Sequence, residues 1–354
     1  MFNDVYNNKT VLVTGHTGFK GSWLSIWLNE LEANVVGYAH NPYTSKDNFV
    51  VTNLTEKIND VRGDIRDYKK VKSVFDKYNP EIVFHLAAQP LVRLSYKEPR
   101  ETYETNVMGT VNILEAARKC DSVKIVIVIT SDKCYENKEW IWGYRENDPV
   151  GGYDPYSSSK GCAELVTSAY TKSYFNVEKI ENHKTAVASV RAGNVIGGGD
   201  WREDRLIPDC VRSLRKGKPI KIRSQNATRP WQFILEPLNG YLLLGSKLYE
   251  NPRKFAGAWN FGPADGSMIA VKELIEKFLQ NWGSGEWIDV SGNYKPHEAN
   301  LLKLDISKAR QLLGWKPKLD IDSTIEMVAD WYKRDSANYE FDVKQLNSFI
   351  DLNR

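Results

Sequence analysis

The chain has 354 residues, 42% of them hydrophobic and 26% charged, with a net charge of +3. That length suits about two domains, and a charge so near neutral excludes a chain-wide electrostatic grip on nucleic acid. No apolar run approaches the ~18 residues of a membrane span, and the polar start "MFNDVYNNKT" lacks the apolar core of a secretion signal. The four cysteines, Cys120, Cys134, Cys162 and Cys210, have no CxxC spacing. They read as reduced thiols of a cytoplasmic protein, and no metal site is expected.

Taken in order, the strand candidates are "TVLVTG" from Thr10, "NVVGYA" from Asn34, "EIVFHLAA" from Glu81, "KIVIVITS" from Lys124 and "TAVASVRA" from Thr185. They are apolar almost throughout, the pattern of strands covered on both faces of a parallel sheet. Helix candidates alternate with them: Gly18 to Leu31, Tyr68 to Tyr78, Tyr103 to Arg118 and Pro155 to Ser173. Such a βαβ series predicts an α/β, Rossmann-type, doubly wound parallel sheet over residues 1–190. From 191 to 354 the texture changes. A glycine run (Gly197, Gly198, Gly199), scattered tryptophans and the amphipathic stretches "ELIEKFLQNW", "ISKARQLLGW" and "STIEMVADWYKRD" predict a smaller mixed α/β substrate lobe. A segment near 230–260, "PLNGYLLLGSKLY", is expected to return to the first domain.

The first strand runs into "TGHTGFKG", residues Thr14 to Gly21, with Gly15, Gly18 and Gly21 spaced G-x-x-G-x-x-G before a helix. Glycine lets the backbone approach a pyrophosphate, and the helix N-terminus offers free N–H groups to it. Gly15, His16, Thr17, Gly18, Phe19 and Lys20 are therefore candidate cofactor contacts. The dinucleotide pattern calls for an acidic residue at the end of the second strand, where this chain has Tyr38, Ala39 and His40. His16 and Lys20 add basic groups that favour an extra phosphate, so both NAD and NADP remain open. Asp64, in "GDIRD", is either an acceptor for an adenine amino group or a turn aspartate.

Two polar groupings follow. Tyr156 and Lys160 stand at i and i+4 behind Pro155, which places both on one face of a helix. A phenol of reference pKa about 10 is a poor base until a nearby ammonium lowers it, after which it can take a proton from a sugar hydroxyl. The other grouping is Ser131, Asp132 and Lys133, which follow "KIVIVIT" at the end of a strand, where open α/β sheets bind ligands.

The pieces "TGHTGFKG", "GDIRD", "HLAAQ", "TNVMGT", "TSDKCY", "YSSSK", "RAGNVIGGGD" and "LGWKP" resemble the extended short-chain dehydrogenase/reductase family. Within it the chain is most similar to the nucleotide-sugar 4,6-dehydratases. The blocks "AAQPLVRLSYKEP", "ATRPWQFILEPLNGYL" and "KPHEANLLKLD" point toward their CDP-sugar members. The resemblance implies NAD as cofactor, a nucleotide-sugar substrate with CDP-glucose favoured, a lyase reaction in deoxysugar and lipopolysaccharide O-antigen precursor synthesis, and a homodimer paired through Tyr103 to Arg118 and Pro155 to Ser173. It adds Ile65, Leu86, Ala87, Ala88, Gln89 and Thr105 to the cofactor contacts, and Arg93, Asn194, Arg205 and Arg229 to the substrate contacts.

The implied cycle moves hydride from sugar C4 to NAD⁺, eliminates water across C5 and C6, and returns hydride to C6. Ser131 would bond the 4-hydroxyl, and protonated Asp132 would donate to the leaving oxygen. Lys133 would stand where relatives carry a glutamate base. The alternatives for Lys133 are an ion pair with Asp132 or a place in solvent. His297 and Glu298 fall in a matching block without an assigned role. The alternatives are a non-catalytic dinucleotide-binding protein, against which Tyr156 and Lys160 argue, and a 4-epimerase of the same family. The epimerase needs no acid–base pair at C5 and C6.

Overall fold

The computed structural model describes residues 1–291, 301–334 and 337–352. Seven strands form one parallel sheet: β1 (Thr10–Thr14), β2 (Asn34–Ala39), β3 (Asn59–Arg62), β4 (Ile82–His85), β5 (Ile125–Ile129), β6 (Ala186–Ala192) and β7 (Gly257–Phe261). Their order is β7-β6-β5-β4-β1-β2-β3. The chain thus winds outward from β1 through β2 to β3, crosses back to β4, and winds the other way. The reversal between β1 and β4 opens a crevice at the carboxyl ends of the strands. Thr14 lies opposite both Tyr38 and His85, so those ends are level.

All five residues of β5 are buried. Ile125, Ile127 and Ile129 face one core, and Val126 and Val128 face the other. The two-residue period of a strand therefore feeds two hydrophobic layers, and β-branched side chains fill both. One layer is covered by α2 (Tyr68–Tyr78), α3 (Gly109–Arg118) and α4 (Pro155–Ser173). The opposite layer holds α1 (Phe19–Glu30), the later helix α6 (Leu235–Glu250) and α9 (Tyr339–Asp351). Helix α9 is tied to α1 by Trp27 against Phe349 (6.0 Å between rings) and by Asn29 Nδ2 donating to Tyr339 Oη at 2.7 Å. Residues Leu235 to Phe261 also lie on the sheet, because α6 packs on β5 and β6 and β7 pairs with β6.

The second lobe carries α5 (Leu206–Leu214), α7 (Val271–Trp282) and α8 (Ile321–Lys333). Short strand pairs join them: Ile220–Ile222 with Trp287–Asp289, and Thr228–Pro230 with Met268–Ala270. The helix expected from Tyr103 to Arg118 is interrupted by a π-helical turn, Glu104–Met108. The extra residue turns Asn106 inward. There it clamps the backbone N–H and C=O of Gln89 (2.8 and 3.1 Å) and donates to Ser159 Oγ (2.8 Å). Such bulges recur at functional sites because they re-aim one side chain without ending the helix.

Candidate active site

The glycine loop is shaped by its missing side chains. Gly15 has φ +78°, and a Cβ there would sit 2.8 Å from Ala87 N. A Cβ on Gly21 would sit 2.1 Å from Gly15 O. Helix α1 starts at Phe19 with no side-chain cap from Gly18, so its first N–H groups stay open to an anion. This cradle fits a dinucleotide pyrophosphate. Gly15, Thr17, Gly18, Phe19, Lys20, Asp64, Ile65, Leu86, Ala87, Ala88 and Thr105 all line the cleft.

Two candidate cofactor residues do not line it. The His16 ring is buried, packs where any side chain at Gly37 would have to go, and hydrogen-bonds Asp60 at 2.8 Å. Burial lowers its pKa against the pull of Asp60, so it is neutral near pH 7 and brings no charge to an extra phosphate. The Gln89 amide is turned into its own loop, donating to Leu91 O (3.1 Å) and Thr102 Oγ1 (2.9 Å). Lys20 lines the cleft and lies within the fields of Arg205, Asp132 and Lys160. Burial, then Arg205, push its pKa down to about 7.

The triplet ends β5 as a tight turn. Ser131 Oγ accepts from Lys133 N (3.2 Å) and donates to Asp132 Oδ1 (2.9 Å). The Asp132 carboxyl is 4% exposed, and its Oδ2 finds no hydrogen-bond partner among the described residues. Burial raises its pKa although Lys133 and Ser131 oppose that. A buried carboxyl with one free oxygen is suited to hold a proton and give it to a bound group. Lys133 is half-buried and lines the cleft.

Helix α4 brings in the tyrosine and lysine. Asp154 caps it by accepting from Ser157 N at 2.9 Å, and Ser95 Oγ receives the Tyr156 N–H at 3.1 Å. The helix start is thereby pinned against the cleft wall. Tyr156 is pushed up to about 12, by burial first, with Ser131 and then Arg205 pulling the other way. Lys160, 6% exposed, is lowered to about 8 by burial, partly offset by Cys134 and Glu164. The sequence assigns the lowering of the phenol to Lys160. In the protein alone burial dominates instead, and the cation whose field opposes it is Arg205.

Arg93, Asn194, Arg205 and Arg229 line the same cleft. Arg205 lies 3.4 Å from Asp200, Arg229 Nη1 donates to Thr228 O at 3.1 Å, and Arg93 lies 3.4 Å from Asp204. Sequence reasoning missed Arg223 and Asp204, which line it too. The only trace of Arg223 is the alternation in "IKIRS", which places it just past a short strand. His297 and Glu298 lie outside the described residues. Among the described residues no cluster of His, Cys, Asp and Glu is arranged to hold a metal, and no helix is long and apolar enough to cross a membrane.

The chain is 52% identical over 329 residues to CDP-glucose 4,6-dehydratase of Salmonella typhimurium, covering 93% of this chain and 91% of that protein. It is 31% identical to a putative UDP-glucose 4-epimerase of Methanocaldococcus jannaschii, covering 92% and 99%. Among solved structures it is similar to UDP-glucose 4-epimerase of Thermotoga maritima with UDP-glucose, at a TM-score of 0.78, 22% identity, and coverage of 92% and 98%. It is likewise similar to UDP-glucuronic acid 4-epimerase of Bacillus cereus in complex with UDP-glucuronic acid and NAD, at 0.77, 23%, and 92% and 99%. These last two likenesses establish the fold. The model of the GDP-mannose 4,6 dehydratase family matches residues 12–328, and the chain belongs to that family.

Proposed function

We propose that this protein converts CDP-glucose to CDP-4-dehydro-6-deoxyglucose and water, using NAD as an internal redox carrier. The observation that carries the reading is the triplet Ser131, Asp132 and Lys133, in a chain 52% identical to a CDP-glucose 4,6-dehydratase, set at the end of β5 beside Tyr156. NAD would be held at the glycine loop by Gly15, Thr17, Gly18 and Phe19 and would supply a hydride acceptor and donor there. Tyr156 takes the 4-hydroxyl proton, with Ser131 holding that hydroxyl. Burial alone keeps the phenol protonated. Its activation therefore waits for added positive charge in the filled site. Once C4 is a ketone, the C5 hydrogen is acidic. Lys133 removes it and returns a proton to C5 when hydride adds at C6, and Asp132 protonates the departing C6 oxygen through the carboxyl that burial keeps ready to hold a proton. Arg93, Arg205, Arg229 and Asn194 hold the nucleotide side.

An epimerase would return hydride to C4 and has no work for Asp132 and Lys133. Incubation with CDP-glucose and NAD⁺ should therefore yield an alkali-labile 4-ketosugar chromophore, and release of the C4-epimeric sugar nucleotide instead would overturn the reading. For Lys133→Ala, hydride transfer from C4 should persist while deuterium exchange at C5 stops. Exchange at the wild-type rate would remove Lys133 from the role. The product suits deoxysugar synthesis for lipopolysaccharide O-antigen in the cytoplasm, a setting consistent with four unpaired cysteines. A homodimer built on α3 and α4 fits the apolar groups exposed on and just before them, Met108 and Leu165. Light scattering should give twice the 40.5 kDa chain mass.

A further inference from the structure

Two guanidinium groups from opposite sides of the cleft converge on one carboxylate oxygen. Arg93, on the short helix Val92–Lys97 beside β4, places Nη1 3.4 Å from Asp204 Oδ1. Arg223, just past the strand Ile220–Ile222 of the second lobe, places Nη2 3.1 Å and Nη1 3.2 Å from the same atom. All three residues line the cleft. Asp204 belongs to the loop that enters α5 and holds a left-handed backbone, φ +60°. That conformation is uncommon outside glycine and persists where the surroundings over-determine it.

An oxygen held by the fork of Arg223 and approached by one nitrogen of Arg93 is in the position a phosphoryl oxygen takes between two guanidinium groups. We propose that Asp204 is an internal stand-in for the substrate diphosphate: it holds Arg93 and Arg223 in register across the cleft and is exchanged for the phosphoryl oxygens when a nucleotide sugar enters. The inference rests on the reading of the cleft as a nucleotide-sugar site. Because Asp204 and both arginines are partly exposed, each pair is weak and the exchange is easily reversed. A ligand must bring enough negative oxygen to release the carboxylate and satisfy both guanidinium groups. Asp204 thereby sets how strongly the site demands a diphosphate, and a sugar lacking one leaves the bridge closed.

The test is calorimetric titration of the full chain with CDP-glucose. Asn tolerates a positive φ, so Asp204→Asn keeps the loop while removing the charge. It should bind about threefold to tenfold more tightly than wild type at low ionic strength, as loss of two weak competing pairs predicts. The gain should shrink in ~0.5 M salt, where exposed charges are screened. Asp204→Glu, which retains the carboxylate, should stay within about twofold of wild type, and Arg223→Gln should erase the gain when combined with Asp204→Asn. Unchanged or weaker binding by Asp204→Asn, with wild type binding normally, overturns the stand-in alone. Failure of the wild-type protein to bind CDP-glucose at all overturns the nucleotide-sugar reading, and the stand-in falls with it.

Discussion

The residues just past β5 and the helix α4 serve two charged networks that differ by one turn. Thr130 and Glu164 belong to the first, and Ser131 to Lys133, Tyr156 and Lys160 to the second. In the first, Glu164 accepts from Thr130 Oγ1 and, through Oε2, from Ser189 Oγ and Arg191 Nη2, both at 2.7 Å. Arg191 continues to Tyr135 Oη (2.7 Å), and that hydroxyl donates to Asn260 (2.8 Å). The acid and the base are each 5% exposed and neutralise one another. In the second network Asp132 keeps an oxygen without a partner among the described residues, and Lys160 and Lys20 are both pushed below their ordinary pKa by burial. Burial is the same in both places and charge pairing is not: Glu164 and Arg191 neutralise each other even though Arg191 Nε finds no partner among the described residues. A buried charge whose partners lie within the fold locks the sheet to the helix, whereas one whose partner is missing is kept for a ligand.

The largest test of that contrast is Tyr156→Phe. Loss of the transferable proton should cut turnover by roughly 10²–10⁴-fold, while the melting temperature holds or rises, because no closed network is broken. Steady-state kinetics beside a thermal melt reads both. Glu164→Ala should act in reverse. It leaves the Arg191 cation buried without its carboxylate, at a cost of about 3–5 kcal/mol in urea unfolding. If that variant melts like wild type, the first network is not structural. Lys160→Met sharpens the difference through pH. The folded pKa of Lys160 is about 8, below its unfolded value near 10.5, so wild type is penalised fully below pH 8 and recovers as pH rises toward 10.5. The variant should be more stable at pH 7, on the order of 3 kcal/mol, with the gap closing in alkali. A gap that is flat with pH would mean the lysine is not strained by burial.

Much of the fold was legible because its signals are local. The apolar runs gave five of the seven strands, and Pro155 marked the start of α4, which the structure shows to be capped by Asp154. The two remaining strands are at the sheet edges, β3 read only as the short strand leading to Asp64 and β7 not read at all. β3 is short and only partly buried, and β7 contributes "GAWNF", in which only the last three residues are fully buried. Edge strands of this kind lack the continuous apolar pattern. The helix interruption at Glu104–Met108 was also unreadable, since "ETNVM" has no breaker and the bulge exists only because Asn106 has partners in other segments.

The sequence by itself determined which groups enter the cleft: glycines where backbone must meet backbone, a capped helix carrying Tyr156 and Lys160, and a polar triplet after five buried residues. These follow from spacing and side-chain size, which travel with the chain. Only the tertiary structure decided the charge each group carries. His16 and Lys20 are near neighbours in one loop, yet one is walled in beside Asp60 and the other lies within the fields of Arg205 and Lys160. Desolvation and Coulomb terms depend on distances between segments far apart in sequence, such as Asp204 between Arg93 and Arg223, and no local pattern encodes them.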